Sequence, residues 1–161
     1  QMTLLVLITL PAAMARTHPA PLTAADVIIT VLFVGFLLGE SVADQQQWDF
    51  HRAKARGAAD GFLTTGLFTY SRHPNFFFEQ AQWWAFYAFG ATAAVASGGG
   101  VWGGVINPTI VGAILLTLLF VGSTVFTESI SAAKYPAYAQ YQRTTSMLVP
   151  LPRRRDGARV S

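Results

Sequence analysis

Residues 80 to 127 contain no Asp, Glu, Lys, Arg or His. A soluble domain carries about a quarter of its residues as charges, so an uncharged interval of this length does not suit one. It has room for two helices of about 20 residues, the length that crosses a bilayer. Composition agrees, with 52% of residues hydrophobic and only 12% charged. The interval reads as a membrane helical hairpin bounded by Glu79 and Glu128. Its uncharged turn is Ser97 to Pro108, which carries two glycine clusters and Asn107-Pro108.

The flanking sequence extends this reading. Gln1 to Ala15 is uncharged and aliphatic, broken by Pro11. It lacks the basic start of a signal peptide and reads as a partial transmembrane helix. A two-proline turn from Arg16 to Pro21 follows. Thr23 and Asp26 then form a variant capping box, opening a helix that is apolar from Val27 to Gly39 and polar through Glu40, Asp44, Asp49 and Arg52. Ala53 to Gly66 is glycine-punctuated and reads as a loop. Spans are expected from about Phe76 to Ala96 and from about Thr109 to Thr127. Beyond Glu128, Tyr135, Tyr138 and Tyr141 recur every third residue, as in an interfacial helix at headgroup level. Arg153 to Arg155 and Arg159 form a basic tail.

Lys and Arg number one at Arg16, four between Ser41 and Asn75, six after Glu128 and none in the turn. That asymmetry puts both basic segments on the cytoplasmic side. The expected architecture is all-α: a polytopic membrane helix bundle of about four spans, with a cytoplasmic cofactor-binding loop and a C-terminal interfacial helix. The whole of residues 1–161 reads as a single membrane domain.

Several function classes fall away. Cysteine is absent, which removes disulfides, thiolate metal sites and cysteine nucleophiles. His18, His51 and His73 lack the close helical pairing of zinc motifs, so no metal is expected. The net charge of +3 is explained by membrane orientation and does not call for nucleic acid.

The densest chemistry lies in Gly66 to Glu79, GLFTYSRHPNFFFE. Pro74 suits the first turn of a helix, where its missing N–H costs nothing. Arg72 and His73 precede it at a positive helix start, an arrangement that suits an anion. Lipid-headgroup anchoring of Arg72 and a loop hydrogen bond for His73 are the structural alternatives. Asn75 and Glu79, four apart on one helical face, offer an amide and a carboxylate to ribose hydroxyls or a carboxamide, and Tyr70 offers a hydroxyl or a ring. Asp44, Glu79 and Glu128 come from three helices at similar depth. Carboxylates at membrane level mark a site or a buried network, here with Arg52, Arg72 or Arg143.

In the order ADQQQWDFHR, GLFTYSRHPNFFFEQAQWW, LLFVGSTVFTE and YPAYAQYQRTTSMLVP, the chain from Val34 to Pro152 resembles the DUF1295 family, relatives of the steroid 5-alpha-reductase C-terminal domain and of sterol reductases. The resemblance implies a multi-helix membrane fold with NADPH at the cytoplasmic helix ends, acting on a conjugated C=C bond of a sterol or other lipid. Matched position by position, the cofactor residues are Asp44, Tyr70, Asn75 and Glu79. Arg52, Glu128 and Arg143 match by position in the chain, while Arg72, His73, Tyr138 and Tyr141 fall in the matched segments. Phe78 departs from the family, which has Gly before the Glu, and its ring is expected to restrict the cofactor's approach. The resemblance also implies a longer parent protein, with substrate-polarising residues upstream. Location follows as integral membrane and multi-pass: endoplasmic reticulum in a eukaryote, inner or plasma membrane in a bacterium. The alternatives are a membrane methyltransferase of the isoprenylcysteine or phospholipid type, with Arg72, His73 and Glu128 holding S-adenosylmethionine, and an inactive fragment or non-catalytic membrane protein.

Overall fold

The computed structural model describes residues 2–18 and 21–154. Pro19, in the expected two-proline turn, and Arg155 and Arg159 of the basic tail lie outside the described residues. The chain is mostly helical: α1 (Met2–Thr17), α2 (Ala24–Ala55), α3 (Pro74–Ala96), α4 (Ile110–Lys134) and α5 (Tyr138–Thr144), with one strand, β1 (Gly100–Ile106).

Local chemistry sets the helix limits. Asp26 Oδ2 accepts from the Thr23 backbone N–H and hydroxyl at 2.7 Å each, so the capping box forms and fixes the start of α2. Gly57 and Gly61, at φ 73° and 71°, let the chain turn after α2 ends. Pro74 is the first residue of α3, where its lack of an N–H leaves no bond unmade.

Among the described residues, two helices, α2 and α4, are long and apolar enough to cross a membrane. Only 6% of the most apolar stretch of α2 is buried, whereas the core helix of a soluble protein hides such a surface. The other two expected spans differ for physical reasons. α1 has 16 residues, short of the usual spanning length of about 20. α3 has 23 residues, but its first turns carry Asn75, Glu79, Gln80 and Gln82, which lower its apolar character.

The expected uncharged turn contains β1. Val101, Trp102, Val105 and Ile106 favour extended backbone, and the glycines let the chain double back. A Cβ on Gly104 would fall among the Gly99 and Gly100 carbonyl oxygens.

The chain divides into two compact units. One comprises Gln1–Leu37 and Glu79–Val121, the other Leu38–Phe78 and Gly122–Ser161. In the first, small residues allow close packing. A Cβ on Gly90 would lie 2.8 Å from the Pro11 carbonyl oxygen, and one on Gly112 would meet the backbone at Leu7 and Ile8. Such close backbone approach is how helices associate where lipid removes the hydrophobic drive between them. Asn107, 3% exposed, ties β1 to the start of α4: its amide donates to the Gly104 carbonyl at 2.9 Å and its side-chain oxygen accepts from the Thr109 hydroxyl at 2.6 Å.

In the second unit the chain after α5 folds back along the segment before α3. A parallel bridge joins Ser71 to Ser146. The Arg72 N–H donates to the Ser146 carbonyl at 2.8 Å, the His73 N–H to that of Met147 at 3.2 Å and the Leu151 N–H to that of Tyr70 at 3.0 Å. The Ser71 hydroxyl, wholly buried, donates to the Leu148 carbonyl at 2.6 Å.

Candidate cofactor site

Glu128 is the hub of the second unit. Arg72 meets it in a two-pronged ion pair, Nε to Oε1 at 2.6 Å and Nη2 to Oε2 at 3.0 Å, with side chains only 9% and 7% exposed. Arg72 Nη1 donates to the carbonyls of Gln142, at 2.9 Å, and Thr145. His73 Nε2 lies 3.1 Å from Glu128 Oε1, and the Gln142 amide donates to Oε2 at 2.9 Å. A buried carboxylate is tolerable only when charge and hydrogen bonds compensate it, and here three residues do so. The Arg72 and His73 side chains at the start of α3 are therefore engaged with Glu128 and the carbonyls around α5.

Beside this hub lies a cavity of about 480 Å³. From α2 it is lined by Gln47, Phe50, His51 and Lys54, and from the loop by Phe62. Arg72, His73 and Asn75 reach it around the start of α3, and Lys134, Tyr135, Tyr138 and Tyr141 from α4 and α5. No Asp or Glu lines it. The Asn75 side chain has no hydrogen-bond partner among the described residues and is half-buried at the cavity wall.

Phe62 is the centre of the aromatic wall. Its ring centroid lies 4.9 Å from that of Tyr138, 5.4 Å from Tyr141 and 5.7 Å from Tyr135. Tyr138 and Tyr141, expected on an interfacial helix at headgroup level, are each only 4% exposed. The stripe faces inward because Phe62 gives it an apolar partner and because the Tyr141 hydroxyl finds the buried Phe68 carbonyl.

Burial, with the Glu128 carboxylate nearby, pushes the Tyr138 hydroxyl up from 10.0 to about 12; burial, then Tyr138, raises Tyr141 as well. A raised acid favours the neutral phenol in the fold. The stabilisation is full below the ordinary value and is lost as pH climbs from 10.0 towards 12. In an alkaline titration Tyr138 and Tyr141 are expected to ionise together with unfolding. Ionisation of Tyr138 and Tyr141 near 10.0 with the fold intact would contradict this.

The other expected site residues fall outside the cavity. Asp44 is exposed on α2, one turn before the lining begins at Gln47, and Arg52 is exposed between the lining positions His51 and Lys54. Arg143 is exposed on α5, beside Gln142, which holds Glu128 in its place. Tyr70 is 49% exposed, with its carbonyl accepting from Leu151. Glu79 is half-buried on α3, one turn beyond Asn75, and belongs to the first unit. Phe78 does not line the cavity; its ring lies where a Cβ on Gly39 of α2 would come within 2.7 Å, so the glycine gives it space. Lys54, Phe62 and Gln142 are not singled out by sequence, and Tyr135 reads there as part of an interfacial stripe and not as a site residue. For Lys54 a signal existed: Gln47, Phe50, His51 and Lys54 have the spacing of a single helical face.

A profile of DUF1295, described as a protein family of unknown function, matches residues 1–145. The chain belongs to the DUF1295 family. A relative from Schizosaccharomyces pombe, described as an uncharacterized protein, is 36% identical over 162 aligned residues. The match covers 91% of this chain and 44% of that protein, so the chain spans less than half the relative's length. No solved structure matches this DUF1295 chain.

Proposed function

We propose that this chain is the cofactor-binding part of an integral membrane reductase that uses NADPH to saturate a conjugated C=C bond in a sterol or other lipid. The observation that carries the reading is the cavity lined by Lys54, Lys134, His51, Arg72 and His73 with no carboxylate facing in. An anion is the ligand such a wall favours, and rings beside it give a heterocycle a surface to stack on. A phosphate-bearing dinucleotide has both features. The kinship of DUF1295 with steroid 5-alpha-reductases and sterol reductases points the same way.

In this reading Lys54, Lys134 and His51 hold phosphate oxygens, Phe62 and the tyrosines offer ring faces, and Asn75 donates to the carboxamide or a ribose hydroxyl. Arg72, His73 and Glu128 form the rigid floor, with Arg72 largely neutralised by Glu128. The bound nicotinamide supplies a hydride equivalent; the chain orients it and excludes water. The basic segments on both sides of the cavity face the cytoplasm, α2 and α4 cross the bilayer, and α1 and α3 complete a multi-pass bundle with parts of a longer protein.

The S-adenosylmethionine reading requires Arg72, His73 and Glu128 to bind the ligand. Their engagement with one another weighs against it. Asn75→Ala tests the reductase reading, because its amide has no partner within the described protein to lose. It is expected to weaken NADPH binding about three- to tenfold, the value of roughly one hydrogen bond, with thermal stability unchanged. Equal NADPH affinity in the variant and the parent would remove Asn75 from the site.

A further inference from the structure

A second cavity, of about 580 Å³, lies within the first unit between the start of α2, the later turns of α3 and β1. Trp84, Ala88, Ala91 and Val95 line it with the spacing of one helical face, and the two alanines leave the hollow between the larger side chains. Its lining offers no free side-chain donor. Trp84 Nε1 donates to the Thr117 hydroxyl at 3.1 Å and the Tyr87 hydroxyl to the Val105 carbonyl at 2.6 Å. The Thr23 and Thr92 hydroxyls donate to Asp26 at 2.7 and 3.2 Å. Water finds few partners on such a wall, while an empty hollow forfeits dispersion contacts, so hydrocarbon is the filling it favours. Trp84, Val95 and Val105 are exposed at the rim, so the cavity is continuous with the apolar surface of the unit.

One end of it is polar. Thr23, Thr92 and Ala96 also line a recess of about 230 Å³ that contains Asp26 and His18. Asp26 has no ion-pair partner among the described residues, and His18 Nδ1 lies 3.1 Å from the Met14 carbonyl oxygen. The recess therefore presents carboxylate and hydroxyl lone pairs, which suit a hydrogen-bond donor and repel an anion. We propose that cavity and recess together form a lipid-binding site: the cavity takes one hydrocarbon chain, and the recess takes a headgroup that donates hydrogen bonds and carries no negative charge. The inference goes beyond the reductase reading and shares with it only the membrane placement. The start of α2 and the end of α3 lie on the side opposite the basic segments, so the lipid comes from the non-cytoplasmic leaflet. A packed helix is a poor alternative occupant. Two turns of one, 10–12 Å across, need roughly 1,000 Å³, well above the volume of the cavity, whereas a single hydrocarbon chain is far narrower.

The test uses the full-length protein in lipid nanodiscs and hexadecanol carrying a photoreactive diazirine at the far end of its chain. Labelling is expected to concentrate on residues 84–95 of α3 and to be competed by excess hexadecanol. Hexadecyl sulfate, with the same chain and a permanently anionic head, is expected to compete about fivefold less well, the scale of one like charge at about 4 Å in water. Asp26→Asn is expected to close that gap. Ala96→Leu adds bulk at the exposed junction of cavity and recess and is expected to lower labelling about fivefold or more, the typical scale of overpacking, with thermal stability unchanged. Labelling spread over α2 and α4 and indifferent to Ala96→Leu, as a merely surrounding lipid gives, overturns the site. So does an absence of label on α3, the result if another part of the longer protein covers the cavity. Equal competition by hexadecanol and hexadecyl sulfate overturns the assignment of the recess to a headgroup without negative charge.

Discussion

Arg72→Met is expected to destabilise the fold by about 3–5 kcal/mol, the usual result of leaving one member of a buried ion pair without its partner. The carboxylate left behind is Glu128, 7% exposed, with only His73 and the Gln142 amide to compensate it. The carbonyls of Gln142 and Thr145 lose their guanidinium donor in the same step. Removing both charges in Arg72→Met with Glu128→Leu is expected to recover much of the loss, because the desolvation penalty goes with the ions. Denaturant titration in detergent micelles measures both. A loss below about 1 kcal/mol for the single variant, the range of an exposed pair, would show that the hub is not structural.

Phe62→Ala is expected to cost about 3 kcal/mol, the low end for truncating a packed phenylalanine. The ring contacts Tyr135, Tyr138 and Tyr141 at centroid distances of 5.7, 4.9 and 5.4 Å, and each aromatic pair contributes beyond its buried area. The same change removes one wall of the cavity. NADPH affinity is therefore expected to fall in Phe62→Ala and to be largely restored in Phe62→Leu, which returns apolar volume without the ring. Loss of binding with no loss of stability would instead assign Phe62 to the ligand alone.

How far the sequence carries depends on what kind of information each residue holds. The capping box at Thr23 and Asp26, the proline start of α3 and the glycine-rich loop after α2 are legible because their causes are local. The cluster of Arg72, His73 and Glu128 is legible as a set, since charges bordering apolar runs need partners. Which partner each takes is a matter of tertiary placement. Arg143 carries the charge that sequence reading favours, yet Gln142, one residue earlier and so about 100° around α5, is the one that holds Glu128. The inward turn of the tyrosine stripe is similarly hidden. A three-residue spacing describes one helical face equally well whether that face meets headgroups or a ring such as Phe62, which lies far away in the chain. Lys54 escaped notice because it sits in a basic cluster with Arg52 and Arg56, where membrane orientation already accounts for positive charge.

The central claim is that the cavity of the second unit holds NADPH. Equilibrium binding to the full-length protein in nanodiscs, with NADPH and S-adenosylhomocysteine measured in parallel, tests it most directly. The account predicts saturable NADPH binding that weakens with rising salt, as binding to a cationic wall must, and that drops about tenfold or more in Lys54→Met with Lys134→Met, the scale of one or two charge-assisted hydrogen bonds. Saturable binding of S-adenosylhomocysteine with none of NADPH would contradict it.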